Sequence, residues 1–140
     1  MMRHLFLAVA ALALATLAVE ARAADDENPI VTTVKSKVKD KDKPFGMAVV
    51  FKVKAGSEKE FETAFAPCAK ATKKEPGCLT YHFNRDLDEA GQYVVYEQFK
   101  SIAAFEEHAK SKHVEELRKQ LPALLDGEPK VKVFAILSGE

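Results

Sequence analysis

Tryptophan is absent from the 140 residues, cysteine occurs twice, and acidic and basic side chains cancel to a net charge of zero at pH 7. A balanced chain with interspersed charges has no electrostatic footprint for a polyanion, so no nucleic-acid partner is expected. There is no Gly-rich phosphate loop and no G-x-S-x-G elbow, which removes the phosphate-cradling and serine-hydrolase motifs. Only one long apolar run exists, Leu5 to Val19, and it is short of the ~20 apolar residues that span a bilayer comfortably. With no second run behind it, no stable membrane anchor is expected.

That single run follows Arg3 and His4 and precedes Ala21-Arg22-Ala23, the pattern of a secretory signal peptide over residues 1–23 with cleavage before Ala24. No cysteine lies in this stretch, which disfavours a lipid-anchored lipoprotein. A periplasmic or secreted protein is the expectation. Loss of Arg3, Glu20 and Arg22 with the leader leaves the remainder near neutral.

Residues 24–43 read as a charged N-terminal extension. Its lysine-dense part, Lys35 to Lys43, is interrupted by Asp40 and Asp42 and suits a solvated linker. The β-branched residues between Ile30 and Val38 permit an extra edge strand ahead of the main domain.

Residues 44–140 are enough for one domain. Phe45, Met47, Val49, Phe51 and Val53 alternate with smaller or polar residues, the pattern of a strand with one apolar face. Ser57 and Glu60 form an S-x-x-E capping box before Phe61, Phe65, Cys68, Ala69 and Thr72, which recur at helical spacing. Pro67 predicts a local bend in that helix, and Pro76-Gly77 closes it. Leu79, Tyr81 and Phe83 begin a second strand, and the turn residues Asp86 to Gly91 lead into a third, Gln92 to Lys100. Ser101 can cap a helix carrying Ile102, Phe105 and Ala109; a further helical stretch follows Ser111, and a last strand follows Gly127-Glu128-Pro129.

The order β-α-β-β-α-β predicts an α+β, ferredoxin-like antiparallel sheet with helices on one face. Apolar residues on both parities of several strands, such as Val94 beside Val95, imply that the other face is covered too. A second copy packing sheet against sheet would cover it, which predicts a homodimer. Cys68 and Cys78 are not expected to be bridged. Cys68 lies roughly 10 Å along the helix axis from the helix end at ~1.5 Å per residue, and bridged Cα atoms lie within ~7 Å.

Three pieces stand out in order: the corner Glu75-Pro76-Gly77-Cys78-Leu79-x-Tyr81, the strand end Tyr96-Glu97-x-Phe99, and His108-x-x-Ser111-x-His113. Together they resemble the antibiotic biosynthesis monooxygenase family of dimeric α+β barrel proteins, over roughly residues 44–137. The resemblance implies chemistry of several kinds, since members oxidise quinols or polyketide phenols with dioxygen and without metal or flavin, while others degrade haem. In the cofactor-free route a substrate must be ionised to an electron-rich phenolate, which calls for a base and for donors to hold the anion.

On that resemblance His108, His113 and Glu97 are the catalytic candidates, and Tyr81, Tyr96, Phe99, His82 and Asn84 the substrate-binding ones. Each has a plainer reading: the tyrosines as core aromatics, Glu97 as an ion-pair or helix-end partner, His82 as a solvent-facing strand residue, and His108 and His113 as backbone-bonding helix-end residues. No cofactor is expected. Haem is disfavoured because the haem-degrading branch carries tryptophan where Phe99 stands and an axial histidine in the turn after His113, where Val114 to Arg118 offer none. A metal is disfavoured because His108 and His113 are five apart, not i, i+4, and no third ligand accompanies them. The expected function is an exported, cofactor-independent monooxygenase acting on a small quinol or phenol. The alternative is a non-catalytic protein of the same fold that binds a small aromatic or apolar molecule or serves assembly.

Overall fold

The computed structural model describes residues 28–138, so the expected leader and cleavage site lie outside the described residues. Eight elements follow in order: α1 (Pro29–Lys37), β1 (Phe45–Lys52), α2 (Glu58–Thr72), β2 (Cys78–Arg85), β3 (Gln92–Phe99), α3 (Ile102–Ala109), α4 (Lys112–Leu124) and β4 (Lys130–Ala135). The strands hydrogen-bond in the order β2-β3-β1-β4, with every neighbouring pair antiparallel. This is the expected ferredoxin-like βαββαβ sheet.

Alternation along β1 and β3 sends Phe45, Met47, Val49, Phe51, Tyr93, Val95, Glu97 and Phe99 to one buried face. Cross-strand register sorts these residues into rows. Phe45 stands opposite Phe99 at one end of the sheet and Phe51 opposite Tyr93 toward the other. Ring packing closes both ends: Phe105 sits edge-on to Phe45 with centroids 6.0 Å apart, and Phe61 and Phe83 lie 4.8 Å and 5.5 Å from Tyr93. The middle rows hold Met47 opposite Glu97, with Tyr81 beyond it on β2, and Val49 opposite Val95. Less bulk there leaves room under the helices.

Two local expectations need correction. The stretch from Ile30 is a helix, not an edge strand. The Asn28 side chain accepts the Ile30 N–H at 3.0 Å, and Pro29 occupies a first-turn position, where it is preorganised for a helix. Val31 and Val34, three residues apart, then face inward together and are buried, so tertiary burial overrides β-branched propensity. The capping box at α2 is also unmade. Ser57 makes no side-chain cap bond, although Glu58 and Glu60 still place negative charge at the positive end of the helix. By contrast, Ser101 does cap α3, accepting the Ala104 N–H at 3.2 Å.

On the outer face of the sheet Ala48, Val50, Val94 and Tyr96 are half-buried, and Phe134, 6.4 Å from the Tyr96 ring, is 43% exposed. His82, Asn84, Lys130 and Lys132 occupy the edge strands of this face. Cys68 and Cys78 are free thiols.

Candidate active site

The corner after α2 is built for close approach. A Cβ on Gly77 would meet the Ala104 side chain at 2.4 Å, so only glycine lets the turn rest on α3. The Lys100 N–H donates to the Gly77 carbonyl at 3.0 Å and the Cys78 N–H to the Glu75 carbonyl at 3.1 Å, which pins the turn to the end of β3. Glu75 is thereby delivered to the far end of α3.

There the two short helices α3 and α4 meet at a sharp break. The Ser111 N–H and hydroxyl both donate to the His108 carbonyl, at 3.0 Å and 2.6 Å, and the chain restarts as α4 at Lys112. The turn swings His113 back beside His108, their ring centroids 6.0 Å apart. Glu75 joins them: its carboxylate accepts from His108 Nδ1 at 3.0 Å and 3.1 Å and from His113 Nε2 at 2.6 Å. Ser111 Oγ lies 3.1 Å from the same His113 nitrogen. Burial works against the charge of Glu75, yet the two imidazoles hold its carboxyl below the usual range.

His108 is buried, with its ring 4.9 Å from that of Phe99 and 6.4 Å from that of Tyr81. A neutral ring that donates Nδ1–H to Glu75 must present a bare Nε2. That nitrogen faces Glu97 Oε2 at 3.6 Å, beyond hydrogen-bond range, and among the described residues this oxygen has no hydrogen-bond partner. Glu97 is 5% exposed. Burial, opposed by His108 and reinforced by the charge of Glu75, pushes its carboxyl up to about 7. Burial likewise raises the Tyr81 phenol, with the charge of Glu97 adding to it, so this hydroxyl stays protonated.

His108, Glu97 and Tyr81 share a cavity of about 90 Å³, whose other walls are mostly apolar: Met47, Val49 and Val95 from the sheet, Phe105, Val114, Leu117 and Leu121 from the helices, and Ile30 and Val31 from α1. Asn28 and Arg118 add polar groups. A water needs ~10–15 Å³ of such space, so the chamber has room for a small organic molecule.

The sequence-based candidates therefore divide. His108, Glu97 and Tyr81 are brought together on the cavity, whereas His113 stands behind His108 and reaches it through Glu75. Phe99 is buried against the His108 ring but does not line the cavity. Tyr96, His82 and Asn84 are on the opposite face of the sheet, because residues alternating with Tyr81 and Glu97 must point away from them. Glu75 was absent from the candidates, as were Asn28 and Arg118. The expectation that no third donor accompanies His108 and His113 is also corrected: Glu75, His108 and His113 bring three ligand-type atoms within 4.8 Å of one another.

Residues 44–120 match the family model described as antibiotic biosynthesis monooxygenase. The chain belongs to the antibiotic biosynthesis monooxygenase (ABM) family. It is 28% identical to an uncharacterized protein of Synechocystis sp. over 99 residues, covering 71% of this chain and 67% of that one. Among solved structures, Rv0793 of Mycobacterium tuberculosis has a TM-score of 0.64 at 26% identity, with 69% of this chain and 97% of that one covered. A Caulobacter crescentus protein, a candidate antibiotic biosynthesis monooxygenase, has a TM-score of 0.67 at 26% identity, with 71% and 94% covered. The ABM match begins after α1, so the helix that supplies Ile30 and Val31 to the cavity precedes the family domain.

Proposed function

We propose that this ABM protein is an oxygenase of small quinols or phenols, and that it ionises its substrate in the central cavity with His108 as the base. The observation that carries this reading is the line from Glu75 through His108 to the cavity. The half-buried Glu75 carboxylate accepts the Nδ1–H, so the free electron pair of Nε2 is turned the other way, toward Glu97 and the cavity that both residues line. This is the orienting logic of a base held by an acid, and it also stabilises the imidazolium once the proton arrives. Glu97, protonated below about 7, supplies an O–H that can hold a phenolate oxygen beside it.

In the reaction, the hydroxyl proton passes to His108 and the phenolate gives electrons to dioxygen. A ring C–H becomes C=O, the O–O bond breaks, and the second oxygen leaves as water with the two hydrogens lost from substrate. Apolar walls suit both a flat ring and dioxygen. His113 and Ser111 act as positioning residues, through Glu75 and through the backbone of His108 respectively.

Export by the N-terminal leader and pairing of two copies through the outer sheet face belong to the same proposal. The half-buried Ala48, Val50, Val94 and Tyr96, continuous with Phe134, support the pairing. Oxygen uptake on a panel of single-ring quinols and phenols tests the activity, with uptake expected in the native protein and lost in His108→Ala. Tight retention of such compounds without uptake would instead identify a binding protein of the same fold.

A further inference from the structure

We propose that Glu75, His108 and His113 form a binding site for a divalent transition-metal ion of the zinc type, with Glu97 as the carboxylate partner behind the ligating His108. This proposal does not rest on the oxygenase reading, because it concerns the opposite nitrogen of the same ring.

The donor set is two imidazole nitrogens and one carboxylate oxygen, a combination that zinc and related borderline ions favour. His108 Nδ1 and His113 Nε2 already converge on the Glu75 carboxylate, with separations of 3.0 Å and 2.6 Å. Ligand atoms around an ion at bond lengths of ~2.0–2.1 Å stand about that far apart or slightly farther, so small rotations admit the ion. The two histidines come from different helices, and the break at Ser111 makes their five-residue separation irrelevant. The Glu75 and His113 side chains are 19% and 23% exposed, which leaves an approach from solvent and an open position for water.

A second, independent observation is the buried carboxylate. Among the described residues Glu97 Oε2 has no hydrogen-bond partner, and it faces His108 Nε2 at 3.6 Å. A ligating histidine nearly always donates its other ring N–H to a carboxylate, carbonyl or water. If the Nδ1 electron pair goes to an ion, the proton must sit on Nε2, where it points at the oxygen that lacks a donor. The site is therefore built in depth, as metal sites are.

Occupancy has a consequence for the chamber. An ion on Nδ1 leaves Nε2 protonated, so His108 cannot take a proton from a ligand in the cavity. Metal binding and base action at His108 therefore exclude one another, a consequence that, unlike the site itself, rests on the oxygenase reading.

The test is calorimetric titration of chelator-treated protein with zinc chloride, and with cobalt(II) for its visible ligand-field bands, in the absence of any organic substrate. One ion per chain is expected. Glu75→Gln and His113→Ala should each weaken binding on the order of 100-fold, and Glu97→Gln about 10-fold. His82→Ala, which removes an exposed histidine from the far face of the sheet, should bind as the native protein does. Circular dichroism confirms folding of the variants; if one ligand variant unfolds, the other decides. Absence of saturable binding would overturn the site, as would binding unchanged in the folded ligand variant or lost in His82→Ala. Because no turnover is measured, failure of the oxygenase reading leaves this outcome untouched.

Discussion

Thirty-three positions separate Glu75 from His108 in the chain, yet Oε2 and Nδ1 lie 3.0 Å apart. The contact joins the end of one helix to the end of another and sets which His108 nitrogen looks into the cavity. Replacing Glu75 with alanine should leave substrate affinity nearly unchanged while kcat falls, by part of the ~10²–10⁴-fold that a positioned base supplies. Glu75→Gln can accept from Nδ1 but carries no charge to stabilise an imidazolium, so it should recover only part of the loss. Steady-state kinetics separating kcat from KM checks both.

Gly77 is the steric hinge of this arrangement. Gly77→Ala drives a methyl group into Ala104 and should cost about 1–3 kcal/mol of stability, the usual range for overpacking. Adding Ala104→Gly removes the obstructing carbon and should restore much of that loss. A denaturant double-mutant cycle with these two changes should therefore show strong coupling.

Glu97 makes stability pH-dependent in the chelator-treated protein. It faces His108 directly and also feels Glu75, and burial raises its folded carboxyl to about 7 against an unfolded value near 4.5. Because the folded state holds this proton more tightly, its stabilising contribution is fully present below about pH 4.5 and is lost as pH rises to about 7. Glu97→Gln cannot ionise, so stability of the variant relative to native protein should increase across that window. Urea melts from pH 4.5 to 8 would reveal it; a constant difference between the two proteins would contradict it.

Both thiols should be sluggish. Burial first, then the charges of nearby Glu97 and Glu75, push the Cys78 thiol up to about 11. For Cys68, burial outweighs its hydrogen bond to Thr72 and likewise raises it to about 11. Thiolate is the reactive form, so disulfide-exchange reagents at pH 8 should label the native protein far more slowly than the denatured chain. Reductant should leave Tm unchanged.

Much of the fold was legible because alternation and helical spacing are local. Phe45 to Val53 keeps its large apolar residues on one parity, the turn residues Asp86 to Gly91 mark the start of the third strand, and the Pro76-Gly77 stop is unambiguous. The helix Pro29–Lys37 was not legible, because the β-branched residues between Ile30 and Val38 permit an edge strand while the helix depends on burial of Val31 and Val34 against distant elements. In the site, Tyr81, Glu97 and His108 share the buried side of the sheet, which the parity of their strands and helix allows. His82, Tyr96 and Asn84 carry similar chemistry on the opposite parity. Glu75 stands in the corner motif beside Pro76-Gly77 and reads locally as a turn residue, since nothing local shows that the corner packs on a helix more than thirty positions away.

The most direct measurement of the central claim is the visible spectrum of bound 4-nitrophenol, whose phenolate absorbs where the neutral phenol does not, in chelator-treated protein. Binding to the native protein in weakly acidic buffer should raise the phenolate fraction above that of the free compound, and His108→Ala should abolish the rise. An unchanged fraction in the native complex, or the same rise in His108→Ala, would contradict the assignment of His108 as the base.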